Sequence, residues 1–581
     1  MSKSIYICSR KPFSASVNYK LLEICKRLAP DNITPHDPRI VVSGDIAYGI
    51  MNPNNTLLES GNTLLMGQIF DKDENWNFPL HDYPDGSYAL FRDGKEHCEI
   101  VSDPSASRTI WYYKDENLFI ASTSQRAIVM FLGSFEFDER VIPWMLSTGT
   151  LGPIFSWDKR IKRVPADSSV ILNKNTWTIS SKSKPIEFNL VKRSDEQHEK
   201  HLKESLTNTF SRLNIDYSKW LLQLSGGIDS RGILCLLRDN STNIQDLRTI
   251  TWGLESALNV KGNDAYVAKK VAGSLNVPHK YYHTDLSGEP INTIINRFIL
   301  LGEGRIDHLA AYMDGFKIWK TLFEDGIQGT IRGDEGFGYH EGYPSLFFVR
   351  KLLNCRLCSD FSNLKDYRKY GFPIQELPQN LNKRKGETLE LWRDRLFHEY
   401  RLPNMLAALS DLKFSYLEQI NPYLSRHILQ QVRQLPDHLR TEKALFKKIV
   451  VTLSPEVEYA TSEADASDMD LLKMKQIVNL IKQELTSNEA KVLFPNKFLD
   501  FVLSRIKTNH QLTPVKSKSF SIKSSIRRIS PLFIKKVIRK VVLPKVDSNV
   551  LAFRIFLIIN MNKILNADCK NEDESFNNIN I

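Results

Sequence analysis

Long apolar runs are the first thing this chain lacks. Its longest strongly apolar stretch, Ile555-Phe556-Leu557-Ile558-Ile559, falls far short of the roughly 20 residues a helix needs to span a bilayer, so no membrane span is expected. Cysteine is scarce too. Seven (Cys8, Cys25, Cys98, Cys235, Cys355, Cys358, Cys569) in 581 residues suggest no disulfide framework, and a reduced, cytoplasmic setting is the expectation. Cys355-x-x-Cys358 has no second pair to complete four metal ligands and reads as two half-buried helix thiols. The N-terminus reaches Arg10 after only a few apolar residues, without the apolar stretch of a signal peptide. Acidic residues are missing from Lys516 to Lys545, which holds ten Lys or Arg. Removing those ten from the total of 78 leaves 68 cations against 67 Asp and Glu, so the formal charge of +11 belongs to one segment on a nearly neutral body.

With 42% hydrophobic and 25% charged residues the chain has the composition of a folded protein, and its length calls for two or three domains. Residues 1–190 read as β-rich: short apolar runs such as Arg39-Ile40-Val41-Val42, Thr63-Leu64-Leu65-Met66 and Asn117-Leu118-Phe119-Ile120 alternate with turn residues. Ser168 to Leu172 followed by Asn173-Lys174-Asn175-Thr176 begins a closing hairpin. Residues 191–511 alternate amphipathic helices with short apolar strands, predicted at Trp220 to Leu224, Arg248 to Trp252, Lys280 to His283 and Gly326 to Ile331, the pattern of a parallel α/β domain. After 345 the pattern is mostly helical. Residues 512–581 form a basic tail, in which Leu532 to Val542 has cations paired four apart opposite an apolar stripe. That pattern suits a membrane surface or an acidic partner, or simply docking on the body. Nucleic acid is disfavoured, because no aromatic interleaving or recognition module accompanies residues 516–545.

The chemistry sits where Trp220-Leu221-Leu222-Gln223-Leu224 runs into Ser225-Gly226-Gly227-Ile228-Asp229-Ser230 and then a helical pattern. A strand that ends in such a turn and opens a helix presents backbone N–H groups and the positive end of the helix dipole to an anion. The glycines allow close approach, Ser225 and Ser230 add hydroxyls, and Asp229 supplies a ligand for the Mg²⁺ that accompanies a polyphosphate. No GxxxxGK[ST] sequence competes as a phosphate loop.

This loop resembles the SGGxDS pyrophosphate loop of the asparagine synthetase and β-lactam synthetase group. Gly333-Asp334-Glu335-Gly336-Phe337-Gly338 is similar to the same group's D-E-x-F-G block. Leu402-Pro403-Asn404-Met405-Leu406, Ser415 to Glu418, Asn421 to Leu424 and Leu435-Pro436 resemble its LPxML…LE…PFLD…LP stretch. Asp85 to Leu90, Asp103-Pro104 to Tyr112-Tyr113 and Phe119 to Ser122 are similar to its glutaminase segments. The resemblance runs from about residue 40 to 460. It implies an α+β Ntn-hydrolase-like αββα sandwich, then an α/β parallel-sheet synthetase domain of the adenine nucleotide alpha hydrolase kind. It implies ATP and Mg²⁺ as cofactors, with Ser225, Gly226, Gly227, Asp229 and Ser230 on the β,γ-phosphates, Leu224 and Trp252 beside adenosine, and Asp229 and Asp334 on the metal. Arg332 is placed to counter the same charge. The implied reaction joins a small-molecule or peptide carboxylate to an amine through an acyl-adenylate.

Two departures shape the expectation. Where glutamine-hydrolysing members carry Cys after Met1, this chain has Ser2, a far poorer nucleophile near neutral pH, and the Asn of the group's G-E-I-Y-N stretch is replaced in Gly67-Gln68-Ile69-Phe70-Asp71. A glutaminase-dead domain is therefore expected, with free amine or ammonia as acceptor. In the synthetase half, the group's Glu or Tyr three residues before Asp334 is Ile331, and the Lys of an R-x-K segment finds no match in Leu453 to Ser462. Glu335, His340, Glu341, Lys443, Lys447 and Lys448 are the candidate replacements. A glutamine-hydrolysing asparagine synthetase is the competing enzyme reading, and a catalytically inactive nucleotide-binding scaffold is the competing class.

Overall fold

The computed structural model describes residues 3–71, 73–241, 244–340, 345–358, 364, 367–509 and 546–570. Residues 516–545, Ser2 and Glu341 lie outside them, and so does the amphipathic pattern read from Leu532 to Val542.

Alternation of side chains along each strand builds the first half. Strand Ser4–Ser9 turns Tyr6 and Cys8 to one face and Ile5 and Ile7 to the other. It is central in a six-stranded antiparallel sheet whose order is Lys162–Arg163, Trp111–Lys114, Leu118–Ser122, Ser4–Ser9, Ile46–Ile50 and Arg39–Ser43. Tyr6, Cys8, Tyr48 and Phe119 pack on Leu64, Met66, Phe91 and Ile100 of a second sheet, ordered Thr178–Ser183, Ser168–Asn173, His97–Ser102, Gly86–Asp93, Thr63–Ile69 and Leu57–Ser60. Ile5 and Ile7 meet the apolar stripe of helix Ser16–Leu28 (Leu21, Ile24, Cys25, Leu28). The sandwich differs from the expected αββα layering. Behind the second sheet, Leu65, Tyr88, Leu90 and Val101 cluster with the loop side chains Tyr83 and Trp76 and the strand-end Ile69 rather than with a helix. Its edge strand Thr178–Ser183 is largely exposed and polar, leaving no apolar face there for a helix to cover.

The second half is a five-stranded, all-parallel sheet in the order His279–His283, Arg248–Gly253, Trp220–Gln223, Gly329–Ile331 and Glu418–Ile420. The strand Glu418–Ile420 falls inside what the sequence reads as a helical stretch. From Trp220–Gln223 the chain winds first to one side, through Arg248–Gly253 and His279–His283, and then to the other. The order thus reverses between Trp220–Gln223 and Gly329–Ile331, and ligands of open parallel sheets bind at the carboxyl ends of the strands flanking such a reversal.

Helix Ser548–Cys569 corrects the reading of residues 512–581 as one basic tail. By length and composition it is long and apolar enough to cross a membrane, but 72% of that stretch is buried inside the protein. It packs against helices Ser16–Leu28, Gln125–Leu132 and Val141–Thr148 of the first half and Lys475–Leu485 of the second within one hydrophobic core. Asp568 pairs with Arg27 and Arg126, and Arg554 with Asp307. All seven cysteines are free. Cys355 and Cys358 are buried; Cys355 follows the helix Leu346–Leu352 in irregular chain, and Cys358 lies in a 3-10 turn.

Candidate active site

The reversal point holds a cavity of about 300 Å³, within the size range of small-ligand sites. It is lined by Leu224, Ser225, Asp229 and Ser230 from one strand end and by Arg332, Gly333 and Asp334 from its neighbour. Thr251 and Trp252 come from the strand Arg248–Gly253. Six of the residues drawn from the motifs, Leu224, Ser225, Asp229, Ser230, Trp252 and Asp334, therefore face one space.

The turn is shaped by close packing. Gly227 caps helix Ile228–Asn240, and Ser225 N–H donates to Ser230 Oγ (2.9 Å) while Gly227 N–H donates to Ser225 Oγ (3.2 Å). Gly226 leaves no room for a side chain, since an added Cβ would stand 2.6 Å from Ala460 Cβ. Its N–H already donates to Asp264 Oδ1 (2.9 Å), so three N–H groups read from the sequence as waiting for an anion have protein partners. The segment 457–465 lies over the turn: Ala460 N–H donates to Gly226 O (3.0 Å), and Arg231 donates to the carbonyls of Val457 and Glu458 (2.7 and 2.9 Å). This covering brings in three carboxylates that no motif announces, Asp264, Glu463 and Asp465. Burial, Asp264 and Glu463 push the Asp465 carboxyl up to about 7.

Lys443 reaches the same loop from the other side. Its Nζ donates to both oxygens of Asp229 (2.9 Å each) and pairs with Glu335 Oε1 (2.9 Å). Glu442 and Lys443 both have left-handed backbone (φ +57° each), strain that aims the ammonium at the two acids. Burial works against the charge on Lys443, yet Glu335 and Asp229 outweigh it and hold the amine above its ordinary pKa. Burial lifts the Glu335 carboxyl above the usual range despite Lys443. Glu335 also accepts from Phe337 N–H (2.5 Å), and Phe337 stacks on Phe446 at 3.9 Å.

Arg332, readable from sequence as an exposed turn residue, is buried. It donates to Ser410 Oγ (2.7 Å) and to Asp334 Oδ1 (3.3 Å). Asp334 Oδ2 is buried and accepts no hydrogen bond among the described residues. That oxygen lies 3.2 Å from the Arg332 guanidinium, and together with Asp229 in the same cavity it suits a hard divalent cation, which takes oxygen ligands. A second cluster, Asp71, Asp85 and His427, is already matched: Asp71 by Arg212 and His427, Asp85 by Ser425 and the Arg426 N–H.

The remaining candidates stand apart. Lys447 is half exposed and lies 3.7 Å from Glu442, Lys448 pairs with Glu199, and His340 is exposed beside Glu442. The (i, i+4) spacing of Lys443 and Lys447 does not carry both to the site, because Lys443 precedes helix Ala444–Leu453 in its left-handed cap. Ile331 is fully buried in its strand.

Residues 201–303 match the family described as asparagine synthase. No curated protein matches the chain. Among solved structures it is similar to a glutamine phosphoribosylpyrophosphate amidotransferase from B. subtilis, with 10% identity over 48% of this chain and 65% of that one (TM-score 0.19). It is also similar to the U34-tRNA thiolase NcsA from Methanococcus maripaludis, with 12% identity over 58% and 88% (TM-score 0.19). A third likeness is to an allosteric regulatory enzyme of purine biosynthesis, with 10% identity over 48% and 64% (TM-score 0.20). The first and third are matched over less than two thirds of their length.

Proposed function

Starting from an asparagine synthase segment at residues 201–303, we propose that the chain is an ATP-dependent amide-forming synthetase acting on free amine or ammonia. The observation that carries this reading is the convergence of the Ser225–Ser230 turn, Asp229 and Asp334 on one cavity at the sheet's reversal point.

In the proposed reaction a substrate carboxylate oxygen attacks the α-phosphorus of ATP, the α–β anhydride bond breaks, and pyrophosphate leaves. The amine nitrogen then attacks the acyl carbon, AMP departs, and the nitrogen gives up a proton. Ser225 and Ser230 hydroxyls and the start of helix Ile228–Asn240 hold the β,γ-phosphates. Lys443, fixed by Asp229 and Glu335, stands at that end to counter charge on the leaving group. Asp229 and Asp334 would hold Mg²⁺, which supplies further charge neutralisation when bound. Asp71 in place of Asn, and Ser2 in place of Cys, support an acceptor that does not come from glutamine. A cytoplasmic location, and a membrane-surface or acidic partner for residues 516–545, belong to the same proposal and rest on composition alone.

The test is pyrophosphate release from ATP by the purified full-length chain with a panel of carboxylates, each with ammonia or amines. Release that depends on one carboxylate and is lost in Asp334→Asn supports the reading. No release with any member and no ATP binding refutes it. A biological role left intact by Asp334→Asn would favour the scaffold instead.

A further inference from the structure

Lys413 belongs to no motif, yet it is the most unusually placed cation near the cavity. It lies on helix Ala407–Phe414 and is only 5% exposed. Its Nζ stands 4.8 Å from the Trp319 ring centroid and 5.4 Å from that of Trp252. Among the described residues it makes no hydrogen bond or ion pair. Other buried cations here are matched: Lys3 by Glu303, Arg108 by Glu418, Arg126 by Asp568. Burial and Arg332 hold this amine well below the ordinary lysine range, and the two indole faces offset part of the cost of charging it but leave its N–H donors unused. A methionine would fill the same slot at no such cost.

Its charged neighbours are Arg332, Asp334 and Asp465, and all three line the cavity together with Trp252. Lys413 therefore lies between the wall assigned to adenosine (Trp252) and the carboxylate assigned to the metal (Asp334). Lys443 is engaged elsewhere, with Asp229 and Glu335 at the pyrophosphate end. In a nucleotide bound along this line, the group between sugar and pyrophosphate is the α-phosphate.

Resting on the nucleotide reading above, we propose that Lys413 binds the α-phosphate, its ammonium leaving the two indoles for the phosphate oxygens when nucleotide enters. The four-carbon stem gives the ammonium the reach to make that move.

Calorimetric titration of the full-length protein with AMP and with adenosine tests this. Lys413→Met is expected to weaken AMP binding tenfold or more while adenosine binding stays within twofold, and Lys413→Arg is expected to recover part of the AMP affinity. Lys413→Gln provides the same comparison with a polar side chain if the methionine variant does not fold. AMP affinity unchanged in the neutral variants overturns the proposal. So does an equal loss for AMP and adenosine, which would mark Lys413 as a support for Trp252 only. A wild-type protein that binds neither probe overturns the nucleotide reading itself, whereas AMP binding indifferent to residue 413 overturns only this assignment.

Discussion

The two halves of the molecule treat buried charge differently. In the sandwich most of the named buried ions are answered, although Glu99 Oε1 lacks a donor among the described residues. Arg92 meets Glu99 and the carbonyls of Trp76, His81 and Asp82, and Asp103 accepts from the hydroxyls of Ser105 and Ser107 and the Tyr88 N–H. Around the parallel sheet's cavity Asp465 Oδ1 lacks a donor among the described residues, Asp334 is matched by Arg332 alone, and burial with Arg332 holds the unpaired Lys413 amine well below the ordinary lysine range. Unanswered buried charge costs stability, and it gathers on the half that carries the phosphate-loop sequence. The proposed function gives the chemistry to the second half and leaves the first as its scaffold.

That division can be broken or sharpened by measurement, beginning with the largest expected effect. Asp334→Asn should lower pyrophosphate release by at least about 10³-fold, since it removes the carboxylate charge placed to hold the metal. Lys443→Met should cost about 10²-fold, while Lys447→Ala, on the neighbouring turn, should stay within twofold. Equal losses would return both lysines to the site. Breaking the buried Arg108–Glu418 pair (2.6 and 2.8 Å) with Glu418→Gln should destabilise the protein by about 3 kcal/mol in chemical denaturation, with kcat of the folded fraction retained.

A smaller effect concerns acid. Burial and Arg433 hold the His398 imidazole down to about 3, below its unfolded value near 6.5. The unfolded chain then binds one more proton between those limits, so stability should fall as pH drops from 6.5 toward 3, by about 1.4 kcal/mol per unit for this group. Arg433 donates to His398 Nδ1 (3.3 Å), and the Nε2–H donates to Gly336 O (2.9 Å). His398→Gln should flatten the acid limb of the stability profile by that one proton. Least of all, Ser2→Ala should leave ammonia-dependent turnover unaltered and change nothing in glutamate release from glutamine. Glutamate release that Ser2→Ala abolishes would transfer chemistry back to the sandwich.

Much of this arrangement was legible in the residues. The strands at 220, 248, 279 and 329 start within three positions of their expected limits because each is a short apolar run followed by turn chemistry. The Ser225–Ser230 turn is legible because two glycines between a strand and a helix shape an anion cradle, whereas Asp334 is legible only through its resemblance to the D-E-x-F-G block. The strand Glu418–Ile420 was hidden because three residues show no period. Helix Ser548–Cys569 was missed because it is apolar on most sides, so its pattern gave no stripe to read and only the run Ile555–Ile559 stood out. Asp264, Glu463 and Asp465 lie about 200 residues apart in sequence and meet only through the hydrogen bonds of the covering segment. Lys413 looked like the polar member of an ordinary helix until Trp252 and Trp319 closed over it.

The seat of helix Ser548–Cys569 also imposes an order of events on synthesis. Arg27 and its partner Asp568 are separated by 541 residues, roughly 30 to 110 s of translation at about 5–20 residues per second. Through that interval the helices near residues 16–28 and 125–148 expose the apolar surface that this helix will cover. A nascent chain therefore keeps that surface uncovered until this helix is made, and a chain cut short before Ser548 lacks the element that closes the core.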